Sequence, residues 1–338
     1  MKRGLTFFIL LNLILLIGLA ACNQIELSLP ELDHDKILVT HLKKPRLSVI
    51  DRTKQQVIHE EQLEFTVHFL AQISSREIAL ASQEKDAVYI LDVSRNTLHP
   101  INITVSEVTH LFYDHTQHRL LVTEARDQEV IVYDLARETE LNRIKVGLYP
   151  TALALDQSHM YVLCGDSATV TVVDLASDEI VNNFPVVEHP TAIVAEDGML
   201  WVGGHGAPGE LNRHVHVYEA ASGRQVSQIE TGSMPIALYT DAFSDEMFVL
   251  SHGSNELHII DIPSMSVKGV IQTGGNPFYV AGDEQHVYVT ALDGNNLIVV
   301  DREHHHVRES YSLDAGPYGI VLGGHDHESS VPHSGRGR

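Results

Sequence analysis

One phrase recurs seven times along the chain: an apolar β-type run closed by an acidic residue and a turn. It begins at Leu47 (LSVIDRTK), Val88 (VYILDVSR), Val130 (VIVYDLAR), Val170 (VTVVDLAS), Val215 (VHVYEAAS), Leu257 (LHIIDIPS) and Leu297 (LIVVDREH). Its acidic landmarks are Asp51, Asp92, Asp134, Asp174, Glu219, Asp261 and Asp301, spaced by 41, 42, 40, 45, 42 and 40 residues. A fixed period of this length, with several short strands per unit, is the signature of a β-propeller. Helical solenoids can share the period. The units here are rich in Val, Ile, Thr and Tyr and lack 3.6-residue periodicity, which excludes them.

One unit reads in full from Tyr149. YPTALALD is a first strand after a Pro turn, HMYVLCG a second, TVTVVD a third, and the more polar EIVNNFPV an outermost fourth. Later first strands follow GSMP, GGNP and GP, where Pro is tolerated at the first residue of a strand and Gly offers a permissive turn dihedral. The units around LEFTVHFLAQ and SEVTHLFYD lack this Gly and Pro and are the weakest repeats. The repeating region starts at a second strand, KILVTH, and ends at a lone first strand, YGIVLG. The expected fold is therefore all-β: a seven-bladed β-propeller of four-stranded blades over residues 36–323. It is closed by pairing of the C-terminal strand with the N-terminal blade, which protects edges an open array would expose. The recurring acid suits a turn in which its side chain accepts backbone N–H groups just downstream. Its presence in every unit argues for structure rather than catalysis.

The N-terminus reads as an address. Lys2 and Arg3 precede an apolar run over residues 5–21, ending Leu19-Ala20-Ala21-Cys22. This is the pattern of a secretory signal, and the run is near the length of an uncleaved membrane anchor. Leu-Ala-Ala-Cys resembles the lipobox of bacterial lipoproteins. The resemblance implies a signal peptide over 1–21 and lipidation of Cys22, with acyl chains holding the protein to the extracytoplasmic side of the cell membrane. Residues 22–35 lack a period and read as a tether, and the Gly/His-rich 324–338 as a disordered tail.

The segments YVLCGDSATVTVVDLAS, FVLSHGSNELHIIDIPS and YVTALDGNNLIVVDREH, with GSMPIAL and GGNPFYV, resemble the YVTN-type β-propeller repeat family. The resemblance covers about 147–322 well and 36–146 loosely. It implies the propeller fold but no single activity, since the family spans surface proteins, lactonase-like enzymes and propeller domains of redox enzymes.

The formal net charge of −22 argues against nucleic acid as a partner. No phosphate-binding loop, Cys-x-x-Cys, haem-attachment or metalloprotease motif is present. The composition is unusual in histidine, with 22 His against 11 Tyr and 9 Phe. The second-strand ends (His41, Ser82, Glu124, Cys164, Ser251, Ala291) and the turns into first strands should share one face. There the long 45-residue step adds GGHGAPGELNRH, whose glycines suggest a flexible loop. His189, His205 and His252, with Cys164 and Glu124 nearby, form the candidate metal site, in residue types that suit zinc or copper. The functional expectation is a membrane-anchored binding or scaffold module for a protein, peptide or cell-wall polymer. The alternatives are a lactonase-like hydrolase or redox-enzyme accessory propeller, and a metal-handling lipoprotein.

Overall fold

A computed structural model describes residues 24–324. The expected signal peptide, Cys22 and nearly all of the expected tail lie outside these residues. The described chain consists of short strands joined by turns. β1 (Ile25–Glu26) precedes the ring proper. Blade 1 contains β2 (Lys36–His41), β3 (Arg46–Asp51) and β4 (Gln56–Gln62); blade 2 contains β5 (Phe69–Gln72), β6 (Glu77–Ala81), β7 (Val88–Asp92) and β8 (Thr97–Pro100). Blade 3 runs β9 (Val108–Asp114), β10 (Arg119–Glu124), β11 (Glu129–Asp134) and β12 (Thr139–Lys145). Blade 4 runs β13 (Pro150–Leu155), β14 (His159–Cys164), β15 (Thr169–Asp174) and β16 (Ile180–Pro185). Blade 5 runs β17 (Pro190–Glu196), β18 (Met199–Gly204), β19 (His214–Glu219) and β20 (Gln225–Glu230). Blade 6 runs β21 (Pro235–Tyr239), β22 (Glu246–Ser251), β23 (Glu256–Asp261) and β24 (Ser266–Gln272). Blade 7 runs β25 (Pro277–Gly282), β26 (His286–Ala291), β27 (Asn296–Asp301) and β28 (His306–Ser312). The last strand, β29 (Pro317–Leu322), takes the inner position of blade 1, in the order β29-β2-β3-β4. The seven-bladed, C-terminally closed ring is thus as the repeat pattern requires.

Burial explains the strand chemistry. Middle strands are covered on both faces by neighbouring blades, so every residue of β10 and of β22 is buried, and they read as continuous rather than alternating runs. Outer strands keep a single anchor: in β16 only Phe184 is fully buried. Each acidic landmark closes its β3–β4-type turn. Asp51 accepts Lys54 N at 2.9 Å, Asp92 accepts Ser94 N and Arg95 N at 2.9 Å, and Asp174 accepts Ser177 N at 2.9 Å. Asp134, Asp261 and Asp301 do the same with Arg137, Ser264 and His304, and Glu219 substitutes by accepting from the Ser222 hydroxyl. A second acidic series, on the turn between the first two strands of a blade, escaped the sequence reading: Asp114, Asp156, Asp241 and Asp283 accept backbone N–H groups two or three residues on.

The expectation of a tether over 22–35 is corrected in its described part. Ile25 and Glu26 pair with Leu98 and Thr97, adding a fifth strand to blade 2. Leu29 and Leu32 are buried in the core shared by blades 1 and 2. Alternating Leu residues in an otherwise polar stretch gave the hint, but too short a run for a period.

The seam between blades 7 and 1 is densely tied. The β29–β2 pairing is reinforced by Arg52, which reaches Asp283 at 2.6 Å and the Tyr288 hydroxyl, and by Lys43, which meets Asp293 at 2.9 Å. At Gly319 a Cβ would stand 2.1 Å from the Leu70 side chain, so β29 packs against blade 2 only because this residue has none. Removing residues 317–338 should expose the edge of β2 and the inner face of blade 1. Thermal unfolding of that truncated chain is expected to drop by more than about 10 °C, and a midpoint within about 2 °C of the parent would contradict closure as a stabilising constraint.

His41, at the end of β2, is fully buried and its Nε2 meets the Ser48 hydroxyl at 2.8 Å. Burial, aided by Arg46 and Lys44, pulls its pKa down to about 4 from 6.5. The unfolded chain therefore binds a proton that the folded chain refuses between these values. The contribution to stability is intact above pH 6.5 and lost as pH falls toward 4. It is on the order of 3 kcal/mol at 1.36 kcal/mol per unit. His41→Gln should flatten the pH dependence of the melting temperature in this window, as measured by calorimetry; an unchanged slope would remove His41 as its source.

Candidate functional site

The face carrying the second-to-third-strand loops is where the expected site residues meet. Two corrections come first. Cys164, Glu124, His41, Ser82, Ser251 and Ala291 are all buried at strand ends, so their side chains are not offered on the surface of this face. Cys164 packs beneath Gly147, whose Cβ would lie 2.9 Å from its own; burial pushes its thiol pKa up, which suits a packing residue and not a thiolate ligand.

The three histidines do come to one neighbourhood. His189 precedes Pro190, which opens β17, and adopts φ 45°. The same left-handed turn is taken by Tyr149, Met234 and Asn276 before their prolines, so the residue at this position is chosen despite backbone strain rather than for it. The His189 carbonyl accepts His205 N at 3.0 Å, and Gly204 is required there because a Cβ would lie 2.4 Å from that same oxygen. His205 follows β18 and His252 follows β22. Their rings meet edge to face at 5.3 Å between centroids. His252 Nδ1 contacts Asn276 Oδ1 at 3.0 Å, while its buried Nε2 has no hydrogen-bond partner. His205 reaches solvent at one side, yet burial and the adjoining His252 and His189 imidazoles lower its pKa.

The long loop is organised, contrary to the flexibility its glycines suggest. Asn212 is the organiser, a residue sequence reasoning passed over. It is 8% exposed. Its amide donates to the carbonyls of Gly204 (3.2 Å) and His214 (2.8 Å), and its Oδ1 accepts His214 N at 3.0 Å. Its backbone N–H donates to His205 O at 2.8 Å, and its carbonyl accepts Met234 N at 2.7 Å. The tip Ala207-Pro208-Gly209-Glu210 is a tight turn closed by Glu210 N to Ala207 O at 2.9 Å, with Gly209 at φ 87°, the positive dihedral that a type II turn assigns to Gly. Leu211 is left 57% exposed on this fixed loop.

Among the described residues, the one trio of potential metal ligands with atoms within 4.8 Å of one another is Glu124, Asp127 and Glu129, not the three histidines. That acidic trio is already answered: Glu129 pairs with Arg143 at 2.6 Å and Lys145 at 2.8 Å, and Glu124 accepts Asp127 N at 2.6 Å. It secures the β10–β11 turn.

A cavity of about 820 Å³ runs down the ring axis, lined by the inner strands and reached by His205 at its mouth. Ring, closure and axial cavity define a seven-bladed β-propeller with a structured loop at one channel mouth. Solved structures of similar fold include the dihydro-heme d1 dehydrogenase NirN in complex with DHE (14% identity, TM-score 0.63, covering 88% of this chain and 69% of that one). They also include apo AztD from Citrobacter koseri (11%, 0.59, 85% and 96%) and Kuenenia stuttgartiensis hydrazine synthase (17%, 0.59, 70% and 77%). At these identities the likeness establishes the fold alone. No family profile and no curated protein sequence matches the chain.

Proposed function

We propose that the protein is a lipid-anchored, extracytoplasmic binding propeller of the YVTN-repeat type, holding a protein, peptide or cell-wall polymer on the face around His205. The observation that carries this reading is the pre-organised 205–212 loop, which presents exposed Leu211 beside the His205–His252 pair. A loop ordered before binding loses little entropy on binding, and an exposed apolar side chain on a rigid support is a natural anchor for a partner.

Lipidation rests on Leu19-Ala20-Ala21-Cys22. The packing of the next segment adds a geometric consequence. Ile25 is already in the sheet, so three residue steps separate it from Cys22. At about 3.5 Å per residue this spans at most about 10 Å, which would hold the outer edge of blade 2 against the bilayer surface. Cys22→Ala should abolish fatty-acid labelling of the protein and release it from the membrane or leave it unprocessed; undiminished labelling would end the lipoprotein reading.

A second reading, transition-metal handling for zinc or copper, is favoured by the unpartnered His252 Nε2 beside the His205 ring. His189 would have to swing toward this pair to serve as a third ligand, since the three imidazoles do not lie within 4.8 Å of one another. One pair of variants separates the two readings. Deleting 207–211, which spares Asn212, should abolish capture of a wall polymer or envelope protein in pull-downs and leave metal content unchanged. His205→Ala with His252→Ala should strip bound zinc or copper, read by mass spectrometry, with circular dichroism unchanged. A parent chain that binds neither metal when offered it excludes the metal reading, and capture that survives the deletion excludes the loop as the partner site.

A further inference from the structure

The axial cavity is not a uniform tube. In every blade but blade 2 the inner strand begins with an irregular register step, and residues at this level line the axis. In blades 4 to 6 these are Thr151 and Ala152, Thr191 and Ala192, and Ile236 and Ala237. In blade 7 they are Phe278 and Tyr279; in blade 1 it is Tyr318; in blades 2 and 3 Phe69 and His110 stand at the second position. At this level one wall is therefore built of aliphatic and hydroxyl side chains, mostly small, and the facing wall of rings.

The polar groups of the two walls differ in kind. On the small wall the hydroxyls are already used between blades: Thr151 donates to Pro190 O at 3.4 Å and Thr191 to Ile236 O at 3.4 Å, and Thr109 of blade 3 likewise donates to Pro150 O. On the ring wall Phe278 and Tyr318 lie 5.1 Å apart and Tyr279 and Tyr318 6.1 Å apart. The Tyr279 and Tyr318 hydroxyls and the His110 imidazole make no hydrogen bond to another described residue, and all three side chains are half-buried along the cavity wall. These polar groups face the cavity, so they are free to bond to an occupant there. Burial lowers the His110 pKa to about 4 and raises that of Tyr279 to about 12, so all three groups are uncharged at neutral pH.

Charge narrows the occupant. Neither Lys nor Arg is among the described residues lining the cavity. Its two carboxylates are occupied within the fold: Asp114 accepts Thr116 N and Gln117 N and pairs with Arg119, and Asp156 accepts Ser158 N, His159 N and the Tyr161 hydroxyl. An anion entering the cavity would lose its water with no cation to replace it. A flat, uncharged ring system loses little on desolvation and gains ring stacking on one side and close apolar contact on the other. The volume, about 820 Å³, falls in the range of pockets that enclose drug-sized molecules, and the lining, mostly apolar with a few convergent polar groups, is of the usual kind.

We propose that the axial channel is a binding site for an uncharged, planar aromatic small molecule, stacked on Phe278 and Tyr318 and hydrogen-bonded through its edge to Tyr279, Tyr318 and His110. The site meets the face assigned to a macromolecular partner at His205, at its mouth, but the loop residues 207–211 do not line it. Riboflavin and FMN serve as matched probes, sharing one ring system and differing by a phosphate. The full chain in lipid nanodiscs is titrated by fluorescence anisotropy, with empty discs subtracted. Riboflavin should saturate one site per chain, and FMN should bind at least tenfold more weakly. Ala237→Trp, which fills the small wall, should weaken riboflavin at least tenfold, with thermal unfolding as the folding control. Thr151→Phe, nearer the mouth, replaces it should that variant fail to fold. Deletion of 207–211 should leave riboflavin affinity within about twofold of the parent. Absence of saturable riboflavin binding, equal affinity for FMN, or binding unaffected by a folded channel-filling variant would each overturn the proposal.

Discussion

The pairing of β29 with β2 is the constraint on which the rest of the ring depends. No blade buries its own two faces; each is covered by its neighbours, and the inner strands are held around an axis only if the last blade meets the first. A seven-membered open array would leave blade 1 without its inner strand and blade 7 without one neighbour. The join is made by backbone hydrogen bonds, by Arg52 reaching Asp283 and Tyr288, and by Gly319 yielding room to Leu70. A similar cross-blade tie recurs where Arg302 meets Asp241 and where Arg119 meets Asp178. The N-terminal stretch adds a further clasp, since β1 extends blade 2 while Leu29 and Leu32 fill the core beside blade 1.

Closure also explains why the functional features lie where they do. Once the inner strands encircle an axis, their first residues converge on a common cavity, and substitutions in blades far apart in sequence become facing walls. The same geometry gathers the turns before the inner-strand prolines with the ends of the second strands. This brings His189 and His205 into backbone contact and sets His252 beside them. The extended loop could have been a mobile flap. Asn212 instead converts it into a supported ledge by answering the carbonyls of Gly204 and His214 and the amide of His214.

Much of this was legible in the sequence. The seven acidic landmarks carried the blade count, the strand order and the turn chemistry, because each repeats a local event: an acid accepting the N–H groups that follow it. The candidate face was legible in part. His205 and His252 were placed together correctly from their register in adjacent units. Cys164 and Glu124 end second strands as expected but are buried there, because the register of a strand end does not say whether its side chain is covered. The flexible reading of 203–214 failed for a related reason. Glycine marks where a backbone can bend, whereas order depends on whether a neighbour such as Asn212 satisfies the freed groups.

The amino-acid sequence by itself determined the repeat, the number of blades and the closing role of the final strand, since all three follow from period and from strand-end chemistry within about forty residues. Only the tertiary structure decided that the segment after Cys22 belongs to the body and that the three histidines share a mouth without forming a close ligand trio. It also decided that the channel has one wall of rings and one of small side chains. Those properties arise from residues in different blades meeting across an axis, at distances set by packing rather than by spacing along the chain.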